Sequence, residues 1–73
     1  MLNFNDLLDW IDDNISDLER DRAYYENRRD ENPLPYVKEY WQFNIDEADY
    51  DIDMYENIRS CVVICQHKVN DYE

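Results

Sequence analysis

The chain has 73 residues, and its 19 Asp and Glu against seven Lys and Arg give a formal net charge of −12. So acidic a protein repels phosphate, which argues against direct binding of nucleic acid or of an anionic membrane. Hydrophobic residues still make up 44% of the chain, enough for a core. We therefore predict one folded domain over residues 1–73.

The first predicted helix begins near Asn3, which can accept a hydrogen bond from the amide of Asp6 in a capping-box-like pair, and it ends near residue 29. At about 100° per residue, apolar side chains recur on one face. They are Phe4, Leu7, Leu8, Ile11, Ile15 and Leu18. An acidic row within an arc of roughly 80° faces the other way. It consists of Asp6, Asp9, Asp13 and Asp17.

The segment from Asp30 to Pro35 contains two prolines and is the predicted linker, because proline lacks an amide donor and disfavours helical geometry in the residue before it. Residues 36–43 are rich in aromatic side chains. This composition fits either a short helix that begins at Pro35 or a strand, and we favour the helix.

A second long helix is predicted from Asn44, as its cap, to about residue 69, with Glu47 at the third position. Its apolar face holds Ala48, Ile52, Tyr55, Val62 and Val69, and Met54, Ile58, Cys61 and Cys65 widen it. A wide apolar arc faces more than one neighbour. A second acidic row again spans about 80°. It consists of Asp46, Asp49, Asp53 and Glu56.

The predicted fold is therefore an all-α domain in which two long antiparallel helices are joined by a short aromatic connecting helix or turn. Ile11 and Ile52 are predicted core residues. Because a chain of this size buries little surface, a homodimer is compatible with the sequence. There is no apolar run near 18 residues and no secretion signal, so we expect a cytoplasmic protein, in a bacterial host cell if it is phage-encoded.

Three patterns that could carry chemistry are incomplete. The run 49–53 resembles the start of a calcium loop but is not followed by its glycine or its terminal glutamate. Cys61, Cys65 and His67 cannot converge on zinc from one continuous helix. We predict reduced, buried cysteines, no metal and no cofactor. A short chain without glycine also has no phosphate-binding loop and little room for a pocket, so no enzymatic activity is expected.

The two acidic rows favour a basic partner. Carboxylates three or four residues apart on a helix rise about 4.5 to 6 Å, close to the one charge per roughly 3.4 Å along a strand of B-DNA. Two such rows on adjacent helices would imitate a nucleic-acid backbone. The candidate partner-binding residues are Asp6, Asp9, Asp13, Asp17, Asp46, Asp49, Asp53 and Glu56, with Tyr40 and Trp41 as anchors.

In size and charge the chain resembles, as a functional class, the small acidic inhibitors that phages and mobile elements use against restriction or CRISPR nucleases. Such an inhibitor would block a basic nucleic-acid-binding protein. The alternatives are an immunity protein or antitoxin against a basic nuclease, since small acidic immunity proteins with a Tyr-Tyr pair are similar, here at Tyr24 and Tyr25, and a non-inhibitory helical adaptor. The adaptor would dock through Tyr36, Tyr40, Trp41 and Phe43. The simplest explanation of the acidic rows is a solvated face.

Overall fold

The computed structural model describes the backbone of residues 3–71 and the side chains of residues 3–69. The chain forms an α-helical hairpin in which α1 spans Phe4–Glu31 and α2 spans Pro35–Asp71. Residues 32–34 connect the two helices. The hairpin is 59 Å long and 15 Å across. The prediction of an all-α fold with two long antiparallel helices is confirmed.

Side-chain hydrogen bonds define the helix ends. The Oδ1 atom of Asn3 accepts a hydrogen bond from the amide of Asp6 at 2.7 Å, as predicted for the start of α1. After α1, Oδ1 of Asn32 accepts a hydrogen bond from the amide of Leu34 at 3.1 Å, which stabilises the reversal of the chain. Pro35 then occupies the first position of α2, where a missing amide donor breaks no helical hydrogen bond.

The predicted boundary at Asn44 is wrong, although the helical interpretation of residues 36–43 is confirmed. These residues are not a separate connector but the first turns of α2. No proline or glycine interrupts them. The side-chain amide of Asn44 donates to the carbonyl oxygen of Tyr40 at 2.9 Å, so this asparagine lies within the helix and does not cap it.

Three polar contacts between the helices define their register. The paired atoms are Arg59 Nε and an Asp12 carboxylate oxygen at 2.8 Å, Arg22 Nε and an Asp49 carboxylate oxygen at 3.0 Å, and Arg29 Nη1 and Gln42 Oε1 at 2.7 Å. In every pair the two residue numbers add up to 71. The helices are therefore antiparallel and keep one register along the hairpin.

The buried core is small and unevenly distributed. Its hydrophobic residues are Ile11, Ile45, Ala48 and Ile52, which confirms Ile11 and Ile52. By the register, the three residues from α2 lie opposite residues 19–26 of α1. We call residues 19–52, at the connected end, the loop half, and residues 3–18 with 53–69 the open half. The open half contains one buried hydrophobic side chain, Ile11, among its described residues.

Several residues predicted in the core of α2 are exposed instead. The two cysteine thiols are free but exposed, so the prediction that they are buried is wrong. Met54, Ile58 and Val69 are 43%, 42% and 47% exposed. The apolar arc of α2 is as wide as predicted, but a single neighbouring helix of about 10–12 Å diameter covers only part of it. In the described part of the chain, neither α1 nor α2 includes an apolar segment of the length required to cross a bilayer.

Candidate partner-binding surface

The first predicted acidic row lies on the outside of α1. Asp6, Asp9, Asp13 and Asp17 are all exposed. Their mean direction is about 160° from that of buried Ile11, so the row points away from α2. Asp17 forms an exposed ion pair with Arg20 at 3.3 Å. The structure therefore presents this row to solvent on a rigid helix, but not next to the row of α2.

The second predicted row lies on the flank of the hairpin. Asp46, Asp53 and Glu56 are exposed, whereas Asp49 is half-buried at the seam between the helices. The Asp49 carboxylate lies 3.0 Å from Nε of Arg22. By helical rotation this row points about 100° away from the residues of α2 that contact α1. The two predicted rows thus face directions that differ by a large angle, and they do not form one double row.

A third acidic row lies between them and was missed from the sequence. Asp12, Glu19 and Glu26 are seven residues apart on α1, so they follow a single line at the edge of its apolar face. Asp12 accepts a hydrogen bond from Arg59, and Glu26 lies 3.2 Å from Nε of Arg22. The regular seven-residue spacing was the feature of the sequence that could have revealed this row. Its position beside the row of α2 follows from the packing of the two helices.

The third row, on α1, and three residues of the predicted row on α2 form what we call the acidic flank. It comprises Asp12, Glu19 and Glu26 of α1 and Asp49, Asp53 and Glu56 of α2. Arg22 lies between the two rows, with its Nε atom 3.2 Å from the Glu26 carboxylate and 3.0 Å from the Asp49 carboxylate, so the rows come close together there. This pair of rows, and not the predicted pair, lies side by side on one flank of the hairpin. Carboxylates of the α1 row follow each other at about 10.5 Å along the helix axis, compared with about 4.5 to 6 Å in the predicted rows.

Two arginines hold the rows of the acidic flank together. The buried Nε atom of Arg22 lies near Glu26 and Asp49 without a hydrogen bond aimed at either carboxylate, so these contacts are ion pairs. Arg59 makes a hydrogen bond of 2.8 Å to Asp12 across the seam. Two guanidinium groups against six carboxylates leave the flank negative. They also reduce the repulsion between the rows that they join.

A shallow depression on the outer face of α2 extends the acidic surface. It is lined by the rings of Phe43 and Tyr50 and by the carboxylates of Asp46, Glu47 and Asp51. Phe43 is 60% exposed and Tyr50 is 70% exposed. Aromatic faces beside carboxylates attract the guanidinium of arginine or the ammonium of lysine. From the sequence, Phe43 was predicted only as part of the adaptor's docking surface, and Tyr50 was not named.

The anchors predicted from the sequence belong to an aromatic cluster at the connected end. Trp41 stacks on Tyr25 with ring centroids 5.8 Å apart and contacts Tyr40 edge-on at 5.1 Å. The guanidinium of Arg28 lies 5.8 Å from the Trp41 ring centroid. Trp41 is therefore held within the chain, on the flank opposite the acidic one. Tyr40 is exposed, and in the Tyr-Tyr pair Tyr25 packs inward while Tyr24 faces solvent.

The chemical groups that this surface exposes are carboxylates and aromatic rings. Within residues 3–69, no group of three His, Cys, Asp or Glu side chains is arranged to hold a metal ion. Comparisons with protein-family models, with curated proteins and with solved structures give no match.

Proposed function

We propose that the protein is a small acidic inhibitor that mimics nucleic-acid phosphate charge and blocks a basic DNA- or RNA-binding protein. The acidic flank carries this proposal, because it presents two adjacent lines of carboxylates on rigid helices, one line from each helix. A nuclease or defence complex attacked by phages and mobile elements is the kind of target that fits, which makes an anti-CRISPR or anti-restriction role in the bacterial cytoplasm the specific form of the proposal.

The charges of the flank are available to a partner. Glu19, Asp53 and Glu56 take part in none of the ion pairs between described residues. Because helices fix their directions, little conformational entropy is lost when a partner binds them. Long-range attraction makes the association fast, and salt weakens it because the exposed charges are screened over about 8–10 Å.

The depression on α2 supplies the contacts that slow dissociation. An arginine or lysine of the partner fits between the rings of Phe43 and Tyr50 and the three carboxylates around them. Desolvated contacts of this kind dominate interface energies and lengthen the lifetime of a complex. An inhibitor must stay bound to its target for longer than nucleic acid does, and charge attraction alone would not make dissociation slow enough.

A non-inhibitory adaptor is the second candidate, favoured by the exposure of Tyr36, Tyr40 and Phe43 at 68%, 60% and 60%. Its binding would depend on these rings and tolerate salt. An immunity protein would instead use the acidic surface against a basic nuclease, so it shares the electrostatics of the main proposal and differs in the identity of the target.

Two variants of equal charge test which surface binds. The flank variant carries Glu19→Gln, Asp53→Asn and Glu56→Gln. The matched control carries Asp6→Asn, Asp9→Asn and Asp13→Asn on the outside of α1. Each removes three negative charges without breaking an ion pair between described residues. Circular dichroism first establishes that both variants are folded.

Each protein is used to capture partners from a bacterial lysate at about 0.05 M salt, and the salt-sensitive partners are then eluted and collected at about 0.5 M, where screening is strong. The captured protein is purified, and displacement of a fluorescent DNA duplex from it is measured. We expect the flank variant to lose about tenfold or more in apparent affinity and the control to lose less. If the saturated target still binds the duplex, the mimic proposal is wrong, and retention of binding at high salt would support the adaptor.

A further inference from the structure

An uncharged groove on the open half is separate from the acidic surface. Phe4 and Leu7 of α1 line it together with Met54, Ile58, Cys61 and Cys65 of α2, and every lining residue that the structure describes is uncharged. The four α2 residues follow each other at intervals of four, three and four. Alternation of three and four is the spacing of a coiled-coil seam, in which one helix packs against another along its length. The seam that contacts α1 lies elsewhere on α2.

The open half is less completely packed than the loop half. Among its described residues, Ile11 is the one buried hydrophobic side chain, and Trp10 contacts Tyr55 edge-on at 5.9 Å. The loop half buries three hydrophobic side chains and also contains the aromatic cluster around Trp41. Because two helices alone cannot enclose a core on every side, a third helix laid into the groove would add burial to the open half.

The elongated hairpin exposes enough surface for an interface of ordinary size. A compact monomer of 9.1 kDa exposes about 4,900 Å² by the usual scaling with mass, whereas this chain exposes 5824 Å². The excess of about 900 Å² over that scaling is similar to the roughly 800 Å² that each partner contributes to a standard protein interface.

We infer that a second copy of this chain occupies the groove, so that the two open halves form a four-helix bundle around a two-fold axis. Such an axis pairs a surface with itself, and a seam of uncharged residues is self-complementary. A basic protein finds no carboxylate in the groove to bind. The acidic flank lies on another side of α2, so dimerisation leaves both copies of it exposed.

Electrostatic repulsion determines the orientation of the two copies. In the loop half, the outer side of α2 carries Glu39, Asp46, Glu47 and Asp51. Parallel α2 helices would place these carboxylates beside their equivalents in the second copy. Antiparallel pairing about an axis near Ser60 places them at opposite ends of the shared segment. The dimer is therefore antiparallel in α2, and added salt strengthens it by screening the repulsion between two chains of charge −12.

Sedimentation equilibrium of the full chain tests the association. We expect a mass of twice 9.1 kDa, halved by Ile58→Asp in the groove. Ile64→Asp is the matched control, because Ile64 is also exposed on α2 but does not line the groove. A monomeric parent overturns the inference. So does a dimer that survives Ile58→Asp, or one that is lost equally in both variants while circular dichroism shows them folded.

Thiol labelling of the parent protein gives a test that needs no variant. Cys61 and Cys65 are exposed in the single hairpin and covered in the proposed dimer. The rate of maleimide labelling should fall about tenfold as the protein concentration rises from about 1 µM to about 1 mM, because association protects the thiols by mass action. A rate that stays as fast as that of a free cysteine peptide at every protein concentration overturns the inference, even where Ile58→Asp fails to fold.

Fluorescence energy transfer tests the orientation. A label introduced at Tyr36 should lie about 70 Å from its equivalent when α2 is antiparallel about residue 60, given the rise of about 1.5 Å per residue. Negligible transfer in a solution shown to be dimeric supports this arrangement. Efficient transfer would mean parallel helices and would contradict it. None of these measurements involves a nucleic-acid-binding target, so they can fail independently of the proposed function.

Discussion

The loop half and the open half of the hairpin continue the same two helices but have different outer surfaces. In the loop half, α2 packs on α1 through Ile45, Ala48 and Ile52, and its outside carries aromatic rings beside carboxylates. In the open half, Ile11 is the one buried hydrophobic side chain among the described residues, and the groove on α2 is lined by uncharged described residues. The acidic flank extends along both halves, whereas the uncharged groove lies in the open half alone.

The two proposed interactions would respond to salt in opposite ways. Target binding through the acidic flank would weaken as charges are screened, whereas self-association through the groove would strengthen. The proposed dimer would also present two flanks to a target that binds a long stretch of nucleic acid, and linked sites bind more tightly than single ones.

The largest expected effect comes from shortening a core side chain in either half. Ile52→Ala and Ile11→Ala should each lower the free energy of unfolding by about 2–5 kcal/mol, because a cavity replaces packed methyl groups. Urea denaturation measures this, with Ile64→Ala as an exposed control that should change stability by less than about 0.5 kcal/mol. If Ile11→Ala is as mild as the control, the open half has no packed core of its own.

Hydrogen exchange should separate the halves next. At low protein concentration, amides of the open half should exchange faster than those of the loop half, because fewer apolar contacts oppose local opening. At a hundredfold excess of protein over the dimer Kd, association should stabilise the open half by up to about 2.7 kcal/mol. Mass spectrometry of the exchanged protein at two concentrations measures both. Equal protection of the two halves at low concentration would contradict the statement that the loop half is better packed than the open half.

Much of the fold could be predicted from the sequence because its signals are local. The cap at Asn3, the break at Pro33 and Pro35 and the apolar period of each helix depend on neighbouring residues. The start of α2 was misplaced because Asn44 resembles a cap, and only the contact with the Tyr40 carbonyl shows otherwise. The exposed cysteines were also missed, because a wide apolar arc does not show how many helices cover it.

The candidate site was harder to predict because it depends on the register. Each predicted row was correctly placed on an exposed side of its own helix, apart from half-buried Asp49. No pattern in the sequence shows that Arg22 reaches Asp49 or that Arg59 reaches Asp12. These contacts bring Asp12, Glu19 and Glu26 beside the row of α2. Which residues meet across the seam depends on the rotation of each helix about its own axis, and the periodicity of the sequence does not determine that rotation.

Removing one cross-seam arginine should separate stability from binding. Arg22→Gln leaves Glu26 and Asp49 facing each other and should cost about 1 kcal/mol of unfolding free energy, since the pair is partly exposed. The flank becomes more negative, so affinity for a basic target should rise. Thermal denaturation and the duplex displacement assay measure the two effects. Arg20→Gln, which affects only the exposed pair with Asp17 among the described contacts, is the control and should change stability less.

The smallest effect distinguishes two adjacent aspartates of α1 in the open half. Asp13 lies on the outside, four residues from both Asp9 and Asp17, so Asp13→Asn relieves repulsion and should be neutral or stabilising by a few tenths of a kcal/mol. Asp12→Asn removes the same charge but weakens the hydrogen bond from Arg59. That change should destabilise by about 0.2–1 kcal/mol.

Urea denaturation at low salt compares the two variants, which have the same net charge and carry the substitution on the same helix. Opposite signs would show that Arg59 joins the helices of the open half in solution. If Asp12→Asn is as neutral as Asp13→Asn, this contact contributes nothing to stability, and the open half would be joined across the seam by apolar packing alone.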